Sequence, residues 1–273
     1  MSTEQYRLHP GMSPRKKQRL GQAVQYVVLV GLALALVYFA QWDTIRESFL
    51  NADMFPYLFP DLLTVALVNT VVYTLSGYTV GFVLGLILAV MQMSSVAVNR
   101  WLAMTYVEIF RGLPAIIVFL LLAFGLPTAF PGFAFPFGTY GTVAVGLGLV
   151  AAAYLAETFR AGIQAVPKGQ VEAARSLGMS QSRATITVVL PQAIRIVIPP
   201  LTNELILLCK DSSLVYVMGV TMATSELTKF GSDLATKHAN STPYILAGLA
   251  YLLITVPLSV IVRRLEAKQL KAR

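Results

Sequence analysis

Six stretches of this chain are each long and apolar enough to cross a lipid bilayer: residues 24–41, 64–93, 101–126, 139–165, 191–219 and 243–262. A spanning helix needs about 20 mostly apolar residues, because inside hydrocarbon each backbone N–H and C=O must find its partner within the segment. The expected fold is therefore an all-α membrane protein with about six transmembrane helices. A soluble domain has no interior large enough for a chain of 273 residues that is 56% hydrophobic and only 12% charged.

The net charge of +8 first suggests a nucleic-acid partner, but its distribution argues against one. Most of the Lys and Arg fall before the first stretch, after the last, or at Arg100, Arg160, Lys168, Arg175, Arg183 and Arg195. These positions share one side of the membrane if the six stretches cross in turn. That is the positive-inside pattern, and it makes both termini cytoplasmic. The basic excess then reports topology and contact with lipid. Arg46, Lys229 and Lys237 fall outside, while Arg111 and Lys210 fall within spans.

The N-terminal Arg15-Lys16-Lys17 and Arg19 resemble the charged start of a signal peptide. The apolar run from Val24 to Ala40 is longer than a typical signal core and no clear cleavage site follows, so an uncleaved first span is expected. Residues 1–23 read as a cytoplasmic tail, mobile over residues 1–20. Cys209 is the single cysteine and lies in a span, which rules out a disulfide framework. His9 and His238 fall on opposite sides of the membrane, so no metal site is expected.

Within the spans, Gly77, Gly81 and Gly85 recur every four residues and form one stripe against which another backbone can pack. The third span carries Glu108 and Arg111 ahead of Gly112-Leu113-Pro114. Arg111 lies about 15 Å along the helix from Trp101, near the bilayer midplane, where a charge needs a partner or water. Glu108 and Arg111 are spaced to pair on one face. Two readings follow, a structural ion pair or a part of a solute pathway. Glu157 and Arg160 repeat the spacing near the cytoplasmic end of the fourth span.

Between the fourth and fifth spans the chain turns polar. Pro167 suits a helix start, residues 167–177 make about three turns, and Gly178 supplies a left-handed stop. Val171, Ala174 and Leu177 share one face, while Glu172 and Arg175 can pair on the other. Ser180 can cap a second short helix, and Pro191 marks the start of the next span. On these features alone the element is either an amphipathic helix lying on headgroups or a docking element for a protein.

The spacing of Glu172-Ala173-Ala174, Gly178, Val188 and Leu190-Pro191 resembles the EAA signature of the permease subunits of ABC importers. Val188 stands where Ile is more usual. The segments 106–114, 154–160, 199–204 and 210–214 resemble the polar-amino-acid uptake branch of that family, in the same order, over residues 62–265. The resemblance implies a five-helix permease core at 62–265. Residues 24–61 are then an extra N-terminal helix with an external loop, and residues 266–273 a cytoplasmic tail. It also implies that segment 167–183 is a coupling helix docked on a cytoplasmic ATPase, with Glu172, Ala173, Ala174, Arg175, Leu177, Gly178, Arg183, Leu190 and Pro191 as the coupling residues. The implied location is a prokaryotic cytoplasmic membrane. The implied partners are two ATP-binding subunits, a second permease (a copy or a homologue) and an extracytoplasmic amino-acid-binding protein. ATP and Mg would sit on the partner ATPase, since this chain lacks the G-x-x-x-x-G-K-[ST] phosphate loop and is expected to be no enzyme and to carry no cofactor.

The fifth span carries Asn203, Glu204, Lys210 and Asp211. Residues seven apart share a helix stripe, so this helix cannot face lipid all round. Pro199-Pro200 is expected to break it and to free backbone groups for a charged solute. An amino acid needs acceptors for its ammonium and donors for its carboxylate. Glu108, Glu204 and Asp211 supply the first; Arg111, Lys210, Asn69 and Ser212 supply the second. With Asn203 these are the expected pathway residues, and two intramembrane cations favour glutamate or another acidic or amide amino acid. The competing expectation is an ion-coupled secondary transporter.

Overall fold

The computed structural model describes residues 14–271, and it divides into two units, residues 1–50 and 51–273. In the first unit, α1 (Pro14–Phe39) and α2 (Trp42–Phe49) are helical, and α1 begins with basic residues and then exposes apolar ones from Leu20 to Phe39. Residues 1–13 of the expected tail, with His9, and residues 272–273 lie outside the described residues, while residues 14–23 already belong to α1.

The second unit opens with α3 (Phe55–Leu58), read from sequence as part of an external loop. Its Leu58 is buried with Met54 in a cluster that includes Leu62, Leu227, Phe230 and Ala247. A π-helical turn at Leu62–Ala66 leads into α4 (Leu67–Gln92). The third apolar stretch is α5 (Ala97–Gly112), α6 (Ala115–Leu120) and α7 (Leu126–Ala129), broken between Gly112 and Ala115. The halves meet at 102°. The proline ring excludes the helical conformation from the residue before it, and Leu113 is extended, with ψ 138°. Next come α8 (Thr139–Gln164), the short pair α9 (Lys168–Ser176) and α10 (Gln181–Ala184), α11 (Leu190–Asp211), α12 (Leu227–His238) and α13 (Thr242–Lys271). Among the described residues, five helical stretches are long and apolar enough to cross a membrane, or six if the bent pair is one span.

The core is built on α4 and α8. A Cβ added to Gly77 would lie 2.5 Å from Leu147 Cβ, one on Gly81 2.8 Å from Ala151 Cβ, and one on Gly85 2.9 Å from Leu155 Cβ. The three contacts advance together along both helices, so the helices run parallel and the glycine stripe is the seam. α5 packs on the same pair through Ala103 and Val107.

α11 corrects an expectation. Pro199 and Pro200 lie inside a continuous helix and do not break it. Each proline removes one hydrogen bond, but tertiary packing holds the helix straight enough to continue. Val197 presses so tightly on α8 that a Cβ on Gly162 would meet its Cγ1 at 2.0 Å. Tyr78 Oη donates to Leu201 O at 3.2 Å on the far side of the proline pair.

Candidate functional site

The polar element between α8 and α11 is a helical elbow. Pro167 is its N-cap and α9 runs from the next residue. Gly178, at φ 86°, ends the turn. Its N–H donates to Arg175 O at 2.9 Å and Met179 N–H donates to Ala174 O at 3.2 Å, the paired bonds of a Schellman stop. Ser180 Oγ then accepts from Arg183 N–H at 3.3 Å and caps α10. Ala174 is buried, and Val171 packs against the cluster of Val166, Val189 and Ala193.

Two local expectations change. Leu177 does not share the buried face: it is 82% exposed, because α9 ends at Ser176 and helical periodicity no longer places the residue after it. Arg175 does not pair with Glu172. Its Nη1 donates to Gln181 Oε1 at 3.0 Å, a strap across the turn that the i,i+3 spacing did not foresee. Glu172, Ala173, Arg175, Gly178, Arg183, Leu190 and Pro191 are exposed, whereas Ala174 of the same set is buried. Ile186, 65% exposed, extends the apolar part of that surface.

A second site lies where α4, α5 and α8 converge, about 10 Å in from the end of α8 by the rise per residue. Gln92, Glu108, Arg111, Glu157, Arg160 and Gln164 line a cavity of about 270 Å³, with Met104 and Val107 as its apolar wall. Arg160 grips Glu157 through Nε at 3.2 Å and Nη2 at 2.6 Å, and donates from Nη1 to Gln164 Oε1 at 3.0 Å. Gln92 Nε2 donates to Glu157 Oε1 at 3.2 Å. The expected Glu108–Arg111 pair is absent among the described residues. Arg111 instead reaches across to α8, 3.9 Å from Glu157 Oε2, with its guanidinium 5.8 Å from the Tyr154 ring. Glu157 is the more enclosed carboxylate and already sits in a polar cluster, which draws the cation away from its own helix.

The remaining pathway residues are elsewhere. Asn203, Glu204, Lys210 and Asp211 follow α11, and none of them lines the cavity. Ser212 is fully buried and donates to Cys209 O at 2.7 Å. Asn69 is spent as a strut. Its Nδ2 donates to Ala223 O at 3.0 Å and Ser225 O at 2.9 Å, and its Oδ1 accepts from Tyr140 Oη at 2.7 Å.

Asn69 leads to a residue that sequence reasoning missed, Glu226, which is 0% exposed. Its carboxylate caps α12 by accepting from Thr228 N–H at 2.6 Å and Lys229 N–H at 2.7 Å, and it also accepts from Tyr251 Oη at 2.7 Å. Burial pushes this carboxyl above its ordinary range, and the three hydrogen bonds pull it partly back. Glu is outside the usual N-cap set, so the only available signal was a lone acid between two apolar stretches. Among the described residues no group of three or more His, Cys, Asp or Glu is placed to hold a metal.

Membrane-length helices closed around a glycine seam, with an exposed elbow on one side, define an integral membrane permease built to work against another protein. The chain matches, over residues 81–271, the family described as "Binding-protein-dependent transport system inner membrane component", and it belongs to that family. It is 41% identical over 189 residues to the probable glutamine ABC transporter permease protein GlnM of Bacillus subtilis, covering 68% of this chain and 83% of the relative. It is 38% identical over 229 residues to the arginine transport system permease protein ArgU of Corynebacterium glutamicum, covering 80% and 69%. The fold superposes on the crystal structure of an amino acid ABC transporter with histidines, with TM-score 0.71 and 33% identity, covering 79% of this chain and 97% of that one. The protein is thus an amino-acid ABC importer permease subunit. In this family the ATPase is a separate subunit, and the permease works with ATP-binding subunits and a partner permease.

Proposed function

We propose that this subunit passes a polar amino acid across the cytoplasmic membrane by alternating access, driven through the α9–α10 elbow. The observation that carries the reading is the elbow itself: a helix with a hydrogen-bonded stop, held by Arg175 and Gln181, presenting Leu177 and Ile186 outward. Large apolar groups on an otherwise polar element suit a protein groove. In this reading both termini are cytoplasmic, and ATP and Mg bind the partner ATPases. An extracytoplasmic binding protein delivers the cargo. Closure of the ATPases moves the elbow, and α8 and α11, joined rigidly to its two ends, carry the motion to the pathway. Asn203, Glu204, Lys210 and Asp211 on α11 and Glu108 and Arg111 on α5 are the charged groups past which the cargo moves. Ligands shift such an equilibrium only by contacting the two states differently.

For the cargo, glutamate or its amide is the proposed class. The relative named for glutamine supports it, and the relative named for arginine is the competing case. The test is uptake of each common amino acid by the complete complex in vesicles, with its binding protein. Uptake should require ATP and survive an ionophore; the reverse dependence would sink the reading. Replacing Gly178 by Val puts a β-branched residue at φ 86°, a cost of about 1–2 kcal/mol. The expected result is a membrane-inserted subunit that has lost ATPase binding or coupled transport. Normal coupling in that variant would remove the elbow from the mechanism.

A further inference from the structure

The α4–α5–α8 cavity contains groups left without partners. Gln92 is only 7% exposed, yet its Oε1 accepts no hydrogen bond among the described residues. A buried acceptor left this way is costly unless something fills its lone pairs. Glu108 lines the same cavity, and among the described residues no cation or donor holds its carboxylate. Arg111 lines it as well, and its one ion-pair contact, at 3.9 Å, lies beyond hydrogen-bond reach. Glu157 is already the more engaged partner, since both of its oxygens accept from Arg160 and Oε1 accepts from Gln92 as well.

The cavity therefore offers a cation held by no hydrogen bond closer than its 3.9 Å contact, together with an anion and a neutral acceptor left open among the described residues. The first two lie three residues apart on α5, and the third faces them from α4. Two arginines and two glutamates leave it with no net formal charge, which disfavours a simple anion or cation as occupant. The complement of this set is a small zwitterion. We infer that the cavity is a station for the ammonium and carboxylate of an amino acid: Arg111 takes the carboxylate, and Glu108 with Gln92 Oε1 takes the ammonium. The inference rests on the reading of this chain as an amino-acid permease and adds a place where the cargo backbone is recognised. About 270 Å³ suits a small solute. Recognition by ammonium and carboxylate alone leaves the choice of side chain to other parts of the transporter.

The test is equilibrium binding to the complete permease–ATPase complex in detergent, without binding protein. Labelled L-glutamine and L-arginine are the probes. Each is competed by its decarboxylated amine, by its N-acetyl derivative and by inorganic phosphate. The wild type should prefer the amino acid over either derivative by about tenfold or more, the scale of a lost charge-assisted pair. Arg111→Ala should abolish the preference over the amine and keep that over the N-acetyl derivative. Glu108→Gln should do the opposite, and Arg111→Lys should restore part of the first preference. Each ratio is internal to one variant, so a smaller folded fraction does not disturb it. Unchanged ratios in both variants, competition by phosphate as strong as by the amino acid, or no binding to the wild type would each overturn the inference. ATP-driven uptake by the wild type separates this failure from a wider one. Transport with unchanged ratios removes only the station, whereas no uptake of any amino acid removes the proposed function as well.

Discussion

Asn69 and Gln92 are buried side-chain amides near opposite ends of α4, 4% and 7% exposed. At the first, both kinds of polar atom are used: two bonds donated to the loop at residues 223–225 and one accepted from Tyr140. At the second, one bond is donated to Glu157 and the oxygen accepts none. Tyr73 and Thr70 reinforce the first end, Tyr73 donating to Thr224 O at 2.6 Å and Thr70 Oγ1 accepting from Leu227 N–H at 3.2 Å. The contrast separates a brace from a site. A closed network rigidifies what it joins, whereas an open one keeps donors and acceptors for something that comes and goes.

The largest effect should come from the centre of the brace. Glu226→Ala leaves two helix N–H groups and the Tyr251 hydroxyl without their acceptor, all in a buried place. A loss of about 3 kcal/mol is expected, since each orphaned group carries about 1–3 kcal/mol. Thermal unfolding in detergent measures it. A change no larger than that of Glu108→Ala in the open cavity would end the contrast. The same residue gives a pH signature. Its folded-state pKa is raised above the ordinary 4.5, so its stabilising contribution is complete below that value and is lost as pH rises through the folded value. Glu226→Gln lacks the titration. The wild type should therefore lose stability relative to this variant as the pH rises above the ordinary carboxyl range, and a pH-independent difference would count against a raised carboxyl.

The brace and the cavity also mark how far the sequence could be read. The spans follow from composition over twenty-residue windows, and the glycine seam follows from a four-residue repeat, so both were legible. The stop at Gly178 and the cap at Ser180 are local chemistry, and they too were legible. What escaped was non-local. Arg111 meets Glu157, a residue on another helix, and a spacing rule favoured Glu108 because it sees only one helix at a time. The bend after Gly112 was signalled by Pro114, but its 102° angle is set by packing. Pro199-Pro200 misled for the same reason, since the propensity of two prolines yields to the contacts of Val197 on Gly162. Glu226 gave only the signal of a lone acid, because its partners are backbone N–H groups two and three residues downstream and a hydroxyl on α13.

Asn69→Leu comes next in size. It removes three hydrogen bonds and strands the carbonyls of Ala223 and Ser225, for an expected loss of about 2 kcal/mol. Because that loop is held to α4 by Asn69, Thr70 and Tyr73, limited proteolysis should cut residues 221–226 faster in the variant. An unchanged cleavage rate would mean that Tyr73 and Thr70 hold the loop without it.

Gln92→Leu should change stability least, although the amide is as buried as Asn69. The substitution removes one donated bond to Glu157, which keeps its two hydrogen bonds from Arg160. It also removes an acceptor whose desolvation nothing offsets. Losing a satisfied bond and an unsatisfied acceptor together gives terms of opposite sign, so the net change should stay within about 1 kcal/mol. Transport should respond differently: if Gln92 Oε1 is held open for an ammonium, uptake must weaken while the melting temperature stays put. Equal losses of stability at Asn69 and Gln92 would show that the open oxygen is satisfied in the assembled transporter, by the partner permease or by bound water, and that the two ends of α4 do the same work.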